Sequence, residues 1–448
     1  MSGPAWDRII PQRLAIVLPT TAAFDSRTFR IASGMVARGH EVIVLARSGE
    51  GLPDDAMHAS GYRVVRVGWD PVDGLPRPLR ALVRRRRQRG SASPVGPTHS
   101  TGVPSASRGT PGRQMRKLQG VAGALGRLAA IGLTVRAQQR ATLRVAPGAD
   151  LVHAMAYMGI PIGLALGARD SIPVVYDARD IYTDAQNIAR MPAPARRLFG
   201  RLERGWANRA SRVMTVNEPY AAVMARRWDL PTPVVVMNCS YRQHRDPAAP
   251  RRLHDRLGLG AGQRVVLYQG GFSRDRGIEQ LIEAISLVDD ATLVLLGYGP
   301  LEGEIRRLIA DRFRGDIVRI LPAVPPDELL AWVASADVVV MAIQPSSLNH
   351  RLTTPNKLFE AMAVGVPVVA SDLPGMASIV RATGCGLVCD PTDPVAIGAA
   401  ISAILDAPAD DRAAMRARAL AAADDRYNWE SQLDVLAATY TSLTGRPW

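Results

Sequence analysis

One stretch of the sequence combines the start of a predicted helix with groups that could bind a phosphate. It reads Leu352-Thr353-Thr354-Pro355-Asn356-Lys357-Leu358-Phe359-Glu360. Thr354 is a typical N-cap residue and Pro355 a typical first helical residue, so the helix would offer its free amide groups to an anion. Lys357 adds a cation one turn into the helix. Glu360 shares a helical face with Asn356, where its carboxylate could accept hydrogen bonds from a ribose diol.

Two further loops follow predicted strands. The loop Gln269–Gly277 has adjacent glycines, which allow a ligand to approach the backbone, and Arg276, which could pair with a pyrophosphate. The loop Leu296–Pro300 contains two glycines around a tyrosine and could contact a nucleobase. The alternatives are structural: an ordinary capped helix with a Lys357–Glu360 surface pair, and solvated strand-to-helix turns.

The elements that would position these loops alternate between strands and helices. The predicted strands are Arg264–Gln269, Thr292–Leu296, Val318–Leu321, Val338–Ala342 and Val366–Ala370. The predicted helices are Ile278–Val288, Leu301–Ala310, Asp327–Ala334, Pro355–Val364, Pro394–Leu405 and Trp429–Thr444. Such alternation predicts a doubly wound parallel sheet, whose ligands bind beyond the carboxyl ends of the strands. The loops lie at those ends.

The first half of the chain shows the same alternation. A helix is predicted over Thr28–Ala37, among strands at Leu14–Leu18, Glu41–Ala46, Tyr62–Val67, Leu151–His153, Val174–Tyr176, Val213–Val216 and Val234–Met237. A chain of 448 residues is long enough for two domains. We therefore predict an α/β protein with a first Rossmann-like domain over residues 1–240 and a second over 241–425. The final helix, within 426–448, is predicted to pack back across the domain seam.

The positive charge of the chain is concentrated in one segment. The net charge is +14, and residues 74–149 contain 15 Lys and Arg with no acidic residue. The segment 77–145, predicted to be an insertion, has four consecutive arginines at Arg84–Arg87 and then a possible amphipathic helix with Leu118, Val121, Leu125, Leu128 and Ala129 on one face. This pattern indicates an anionic membrane surface as partner. Because the segment has no aromatic residue, nucleic-acid binding is not expected; a disordered loop is the alternative.

Other sequence features exclude several classes of protein. Three cysteines cannot build a disulfide framework, their spacing is not that of a zinc site, and buried thiols are expected. No stretch is apolar enough to span a membrane, and the N-terminus does not resemble a signal peptide. The predicted location is the cytoplasm, at the inner face of the membrane.

The C-terminal half resembles that of the family 4 glycosyltransferases, which have the GT-B fold with two such domains facing a cleft. The resemblance lies in Tyr268–Gly277, Val294–Pro300, Val318–Leu329, Ala336–Ala342 and Pro355–Asp372, with Asp25–Arg27, Gly39–Val42, Tyr176–Ala178 and Asn217–Glu218 in the first half. It implies a retaining enzyme that uses a nucleotide sugar and needs no metal or cofactor. Arg276 takes the place of the family's phosphate-binding lysine, and Glu360 that of its ribose-binding glutamate. Leu352 stands where a first glutamate is often found, and Arg179 where related sequences have histidine.

We therefore predict a glycosyltransferase that moves a sugar from a nucleotide-diphosphate sugar to a glycan or lipid-linked acceptor, in surface polysaccharide or glycolipid assembly. Arg276, Lys357 and Glu360 are the predicted catalytic residues. The predicted donor-binding residues are these three with Gly270, Gly271, Gly297, Tyr298, Gly299, Thr353, Thr354, Asn356 and Leu358. The candidates on the acceptor side are Asp25, Arg27, His153, Asp177 and Asp180. A sugar phosphorylase, a nucleotide-sugar epimerase and a non-catalytic membrane-associated partner are the alternatives.

Overall fold

The computed structural model divides the chain into two compact units. It describes residues 10–448 except 24, 71, 73–74, 76–77, 79–80, 82–112, 244–250, 261 and 313–316. Unit 1 contains the described residues up to Met214, together with Arg226–Pro231 and Ala438–Trp448, and unit 2 contains Thr215–Ala225 and Thr232–Ala437. The boundary therefore falls earlier than residue 240. Sequence periodicity marks elements but does not say which core each element joins.

The first sheet contains eight strands. The N-terminal elements are β1 (Arg13–Val17), α1 (Ser26–Ala37), β2 (Glu41–Arg47), β3 (Asp55–Met57), β4 (Arg63–Val67), α2 (Arg113–Val145), β5 (Leu151–Met155), α3 (Ala156–Asp170), β6 (Val174–Asp177), α4 (Gln186–Ala189), α5 (Ala193–Ala207), β7 (Arg212–Thr215), α6 (Glu218–Trp228) and β8 (Val234–Val235). The strand order is β3-β4-β2-β1-β5-β6-β7-β8. Strand β3, which was not predicted, pairs antiparallel with β4, whereas the pairs among β1, β2, β4, β5, β6 and β7 are parallel.

Helix α2 is part of the unit 1 core along much of its length. Ala124 is fully buried, and it lies with Leu128 in an apolar cluster that also contains Tyr182 and Phe199. Leu125, which is 42% exposed, and the exposed Ala129 lie outside this buried cluster. The side chains of Leu118 and Val121, and the whole of Arg84–Arg87, lie outside the described residues. Because Ala124 and Leu128 pack inward, the second part of the predicted insertion belongs to the fold.

The second sheet contains six strands, and all its pairs are parallel. Its elements, with the last helix of the chain, are α7 (Arg252–Leu257), β9 (Arg264–Gly271), α8 (Ile278–Ala284), β10 (Ala291–Tyr298), α9 (Glu302–Arg312), β11 (Val318–Leu321), α10 (Leu329–Val333), β12 (Val338–Met341), α11 (Leu348–Leu352), α12 (Asn356–Ala363), β13 (Val368–Ser371), α13 (Pro374–Thr383), β14 (Gly386–Cys389), α14 (Pro394–Leu405), α15 (Ala409–Asp425) and α16 (Trp429–Thr444). The order is β11-β10-β9-β12-β13-β14. This arrangement confirms the predicted class of two parallel α/β sheets.

In the described part of unit 2, alternate residues of the strands lie in two apolar clusters. Val265 and Leu267 lie in one cluster, and Val266 and Tyr268 lie in the other. Because successive side chains of a strand point to opposite faces, this alternation shows that both faces of β9 are covered. A ligand therefore has access to β9 at its end and not at its faces.

The three cysteines, Cys239, Cys385 and Cys389, are buried in unit 2, as predicted. Burial raises the pKa of the Cys389 thiol to about 12. In the described part of the chain, we find no helix with the length and apolarity that crossing a membrane requires.

Candidate functional site

The carboxyl ends of β9 and β10 form a close backbone pair. Gly297 pairs with Gly270, and Tyr298 pairs with Gly271. A Cβ atom on Gly297 would lie 2.0 Å from the Gly270 carbonyl oxygen, so a side chain at this position would force the strand ends apart. Gly270 and Gly271 are exposed, and Tyr298 is 68% exposed. The two predicted glycine loops thus lie side by side at the carboxyl ends of these neighbouring strands.

Helix α12 begins one residue later than predicted. Pro355 is its N-cap residue with extended backbone and makes no side-chain capping bond, and the helix starts at Asn356. The predicted N-cap, Thr354, instead donates its hydroxyl to the Gly375 carbonyl oxygen at 2.7 Å. Proline fixes φ but leaves ψ free, so Pro355 can be the extended residue before the helix as well as its first residue, and here the Thr354 hydroxyl bonds to a neighbouring turn.

Leu358 packs in the core of unit 2. Its side chain is fully buried beside Phe359, and its amide donates to the Pro355 carbonyl oxygen at 3.1 Å. Its contact with the donor stays a prediction.

Lys357 lies over an aromatic ring beside the glycine loop. Its Nζ is 3.8 Å from the centre of the Tyr268 ring, a favourable arrangement for a cation over an aromatic face. A Cβ atom on Gly270 would lie 3.5 Å from the same Nζ. Burial and the charge of Arg276 lower the pKa of Lys357 to about 7, although Glu360 acts in the opposite direction. The ammonium group is therefore close to losing its proton at neutral pH, and a bound anion would favour the charged form.

Arg276 is half-buried on the loop after β9, where its Nε donates to Ser273 Oγ at 3.4 Å. Glu360 is half-buried on α12, one turn after Lys357. The side-chain amide of Gln269 donates to Glu360 Oε2 at 3.4 Å. Two cations and one carboxylate therefore meet at the carboxyl end of β9.

A further set of bonds holds the chain before α12. Asn217 donates to the Leu352 carbonyl oxygen at 2.7 Å and to Thr354 Oγ1 at 3.1 Å. Asn238 donates to Asn356 Oδ1 at 3.0 Å. Thr353 and Thr354 are half-buried in this loop. The two asparagines were not predicted as site residues, because each acts on a segment more than 100 positions away in sequence.

In unit 1, three of the predicted acceptor-side residues form a buried network. Arg27 donates to both carboxylate oxygens of Asp177, at 2.7 and 3.1 Å. His153 Nε2 lies 3.1 Å from Asp177 Oδ2, and His153 Nδ1 lies 2.7 Å from Tyr440 Oη. Burial alone would raise the pKa of Asp177, but Arg27 and His153 outweigh it and lower the pKa. Their near-complete burial separates these groups from solvent.

The other two candidates lie closer to the surface of unit 1. Asp25 caps α1 by accepting from the Thr28 amide at 2.8 Å, and it accepts from Arg179 at 2.7 Å. Asp25, Arg179 and Asp180 are each half-buried. Asp25 and Asp180 are the members of the predicted acceptor-side set that retain contact with solvent, and Arg179 lies beside Asp25.

The part of unit 2 that carries these loops matches a known protein family. Residues 263–407 match the family described as Glycosyl transferases group 1. A similar protein is the D-inositol 3-phosphate glycosyltransferase of Pseudarthrobacter chlorophenolicus, 27% identical over 316 residues, which cover 66% of this chain and 71% of that protein. This chain is a glycosyltransferase.

Solved structures extend the likeness of this glycosyltransferase to the whole fold. Sucrose-phosphate synthase from Thermosynechococcus elongatus aligns with a TM-score of 0.67 at 20% identity, covering 97% of this chain and 99% of that one. The Anabaena protein HepE, in complex with UDP and glucose, aligns with a TM-score of 0.64 at 16% identity, covering 96% of this chain and 100% of that one. These alignments confirm the predicted GT-B fold.

Within this glycosyltransferase, Gly270 and Arg276 of one predicted motif lie near Lys357 and Glu360 of another; their roles toward a donor stay predictions. Tyr268 and Gln269 were missed, although both directly precede the glycine pair. Their side chains act on residues of a distant helix, and a single sequence carries no direct sign of that contact. The described residues contain no group of three or more His, Cys, Asp or Glu placed to hold a metal ion; independence of metals stays a prediction.

Proposed function

We propose that this glycosyltransferase transfers a sugar from a nucleoside-diphosphate sugar to a glycan or lipid-linked acceptor, with the donor bound in unit 2. The observation that carries the proposal is the cluster of Lys357, Arg276 and Glu360 beside the exposed Gly270 and Gly271. Two cations suit a diphosphate, and a half-exposed carboxylate suits a ribose diol. The bound UDP and glucose of the Anabaena relative support a donor of this class.

In the proposed reaction, the bond between the sugar's anomeric carbon and the diphosphate oxygen breaks, and a bond to the acceptor oxygen forms. The leaving diphosphate accepts the proton of the acceptor hydroxyl on the same face, so the configuration is retained. The protein must then mainly stabilise the charge of the diphosphate, and Arg276, Lys357 and the first amides of α12 are suited to that task. No metal or other cofactor is part of this proposal.

The acceptor side is proposed to lie in unit 1. The half-buried Asp25, Arg179 and Asp180 are suited to contact the acceptor hydroxyl. The buried Asp177 and His153 are suited to hold these three residues in position. The relatives named D-inositol 3-phosphate glycosyltransferases add a phosphorylated inositol to the candidate acceptors.

We also propose that the protein is cytoplasmic and binds peripherally to an anionic membrane through the basic segment 77–145. The support is that residues 74–149 contain 15 Lys and Arg residues and no acidic residue. A lipid-linked acceptor would then be presented at the same surface, as in polysaccharide or glycolipid assembly.

The decisive experiment measures thermal stabilisation by a panel of nucleoside diphosphates and nucleotide sugars. A ligand at 100 times its dissociation constant should stabilise the protein by about 2.7 kcal/mol. We expect one base to be preferred and the shift to be lost in Arg276→Gln and Glu360→Gln, while Arg306→Gln, an exposed position on α9, behaves as wild type. Failure of every nucleotide to stabilise the protein would refute the donor site.

A further inference from the structure

Gln269 is a buried polar residue at the carboxyl end of β9, outside the predicted set of site residues. Only 3% of its surface is exposed. Its Nε2 donates to Glu360 Oε2 at 3.4 Å, and its Oε1 is buried without a hydrogen-bond partner. Because the bond to the carboxylate requires the amide nitrogen, the unpaired atom must be the oxygen acceptor.

An unpaired buried acceptor is unusual in a folded protein. Leaving such a group without a donor costs about 1–3 kcal/mol, so most buried polar atoms have a partner. Gln269 directly precedes Gly270 and Gly271, the exposed pair where a ligand can reach the backbone. A ligand bound at this glycine pair can supply the missing donor.

Two acceptors of different kinds lie next to each other here. Glu360 presents a half-exposed carboxylate, and Gln269 presents an amide oxygen linked to it through the 3.4 Å bond. Vicinal hydroxyl groups are two adjacent donors, so a ribose diol fits the pair. A sugar that lacks one hydroxyl group would lose the hydrogen bond to one of these acceptors.

We propose that Gln269 is a specificity residue that reads the ribose diol together with Glu360, its Oε1 accepting from one hydroxyl group and the Glu360 carboxylate from the other. This inference rests on the proposed donor site. A site built to accept from a hydroxyl discriminates strongly against an analogue without it. The enzyme should therefore distinguish ribonucleotides from deoxyribonucleotides.

The test is calorimetric binding of UDP and GDP beside their 2′-deoxy and 3′-deoxy forms. We expect the ribonucleotide of the preferred base to bind at least tenfold more tightly than one of its deoxy forms. In Gln269→Met, which keeps the side-chain length without hydrogen-bonding atoms, that ratio should fall to about threefold or less. Gln263→Met is the matched control, because Gln263 directly precedes the opposite end of the same strand, and its ratio should stay as in wild type.

Binding of inorganic pyrophosphate separates the possible failures. We expect Gln269→Met to bind pyrophosphate as wild type does, which also shows that the variant is folded. If pyrophosphate and the ribonucleotides bind but wild type accepts the deoxy forms equally well, the role of Gln269 is refuted while the donor site stands. If neither pyrophosphate nor any nucleotide binds the wild type, the donor site itself is refuted.

Discussion

At the scale of single residues, Lys357 carries the clearest consequence for donor binding. Its pKa near 7 comes from burial and from Arg276, and a bound diphosphate would raise that pKa again. Above pH 7, binding must therefore take up a proton at Lys357, so affinity should decrease as pH rises. We expect the dissociation constant for UDP, or for GDP if that base is preferred, to rise by up to about tenfold per pH unit between pH 7.5 and 9.5.

Lys357→Arg is the control for this prediction, because arginine keeps its charge throughout that range. The variant should show a nearly constant dissociation constant from pH 7.5 to 9.5, measured by calorimetry. A wild-type constant that does not change with pH would contradict the prediction.

Candidate site residues could be predicted where the residues next to them in sequence form a recognisable motif. Lys357 and Glu360 lie at helical spacing, and Arg276 follows a glycine pair, so short-range rules suffice. Gln269 and Asn217 could not be found this way, because their contacts join distant segments. Leu358 shows the same limit: its motif is local, but packing in the core determines where its side chain lies.

At the scale of elements, helix α5 buries a carboxylic acid against the first sheet. Glu203 accepts from the Tyr176 hydroxyl at 2.9 Å and is 1% exposed. Burial raises its pKa to about 8, although the Tyr176 bond and Arg227 act in the opposite direction. The folded protein thus holds a proton that the unfolded chain loses near pH 4.3, so this group's contribution to stability falls as pH rises between about 4 and 8.

Glu203→Gln should remove that dependence. Its gain in unfolding free energy over wild type should be roughly 1–3 kcal/mol larger at pH 8 than at pH 5, measured by urea unfolding. Glu304→Gln, at an exposed position of α9, should change stability equally at both pH values. An equal effect of Glu203→Gln at the two pH values would show that its carboxyl group is not protonated in the folded state.

Elements with long apolar runs were predicted well, and those with weak patterns were missed. Strands β9, β10 and β12 are Val- and Leu-rich and lie close to their predicted positions. Strand β14 has four residues and begins with glycine, and α15 is rich in alanine and charge, so neither shows a strong hydrophobic period. Their places are determined by packing on the rest of unit 2.

At the scale of the whole molecule, the charge distribution predicts membrane binding. Replacing Arg84–Arg87 with glutamine should weaken binding to phosphatidylglycerol vesicles at least tenfold, since each basic residue near an anionic surface contributes about 1 kcal/mol. Deleting all of 77–145 is a poorer test, because it would remove α2 from the unit 1 core. Co-sedimentation at low and moderate salt measures the effect.

The matched control for this experiment is glutamine at four exposed arginines of unit 2, namely Arg306, Arg307, Arg312 and Arg381. This variant should bind vesicles as wild type does. Equal weakening in both variants would indicate a general effect of net charge, and no weakening in the first would remove the basic segment from the proposal.

The location of the cysteines allows thiol labelling to measure the unfolding of unit 2. Every thiol belongs to unit 2 and is buried, so a thiol-reactive dye can label the protein only when that unit opens. Labelling rates would then follow unit 2 alone, while circular dichroism follows both units. A nucleotide that slows labelling would thus be shown to stabilise unit 2 in the enzyme as it stands, with no substitution.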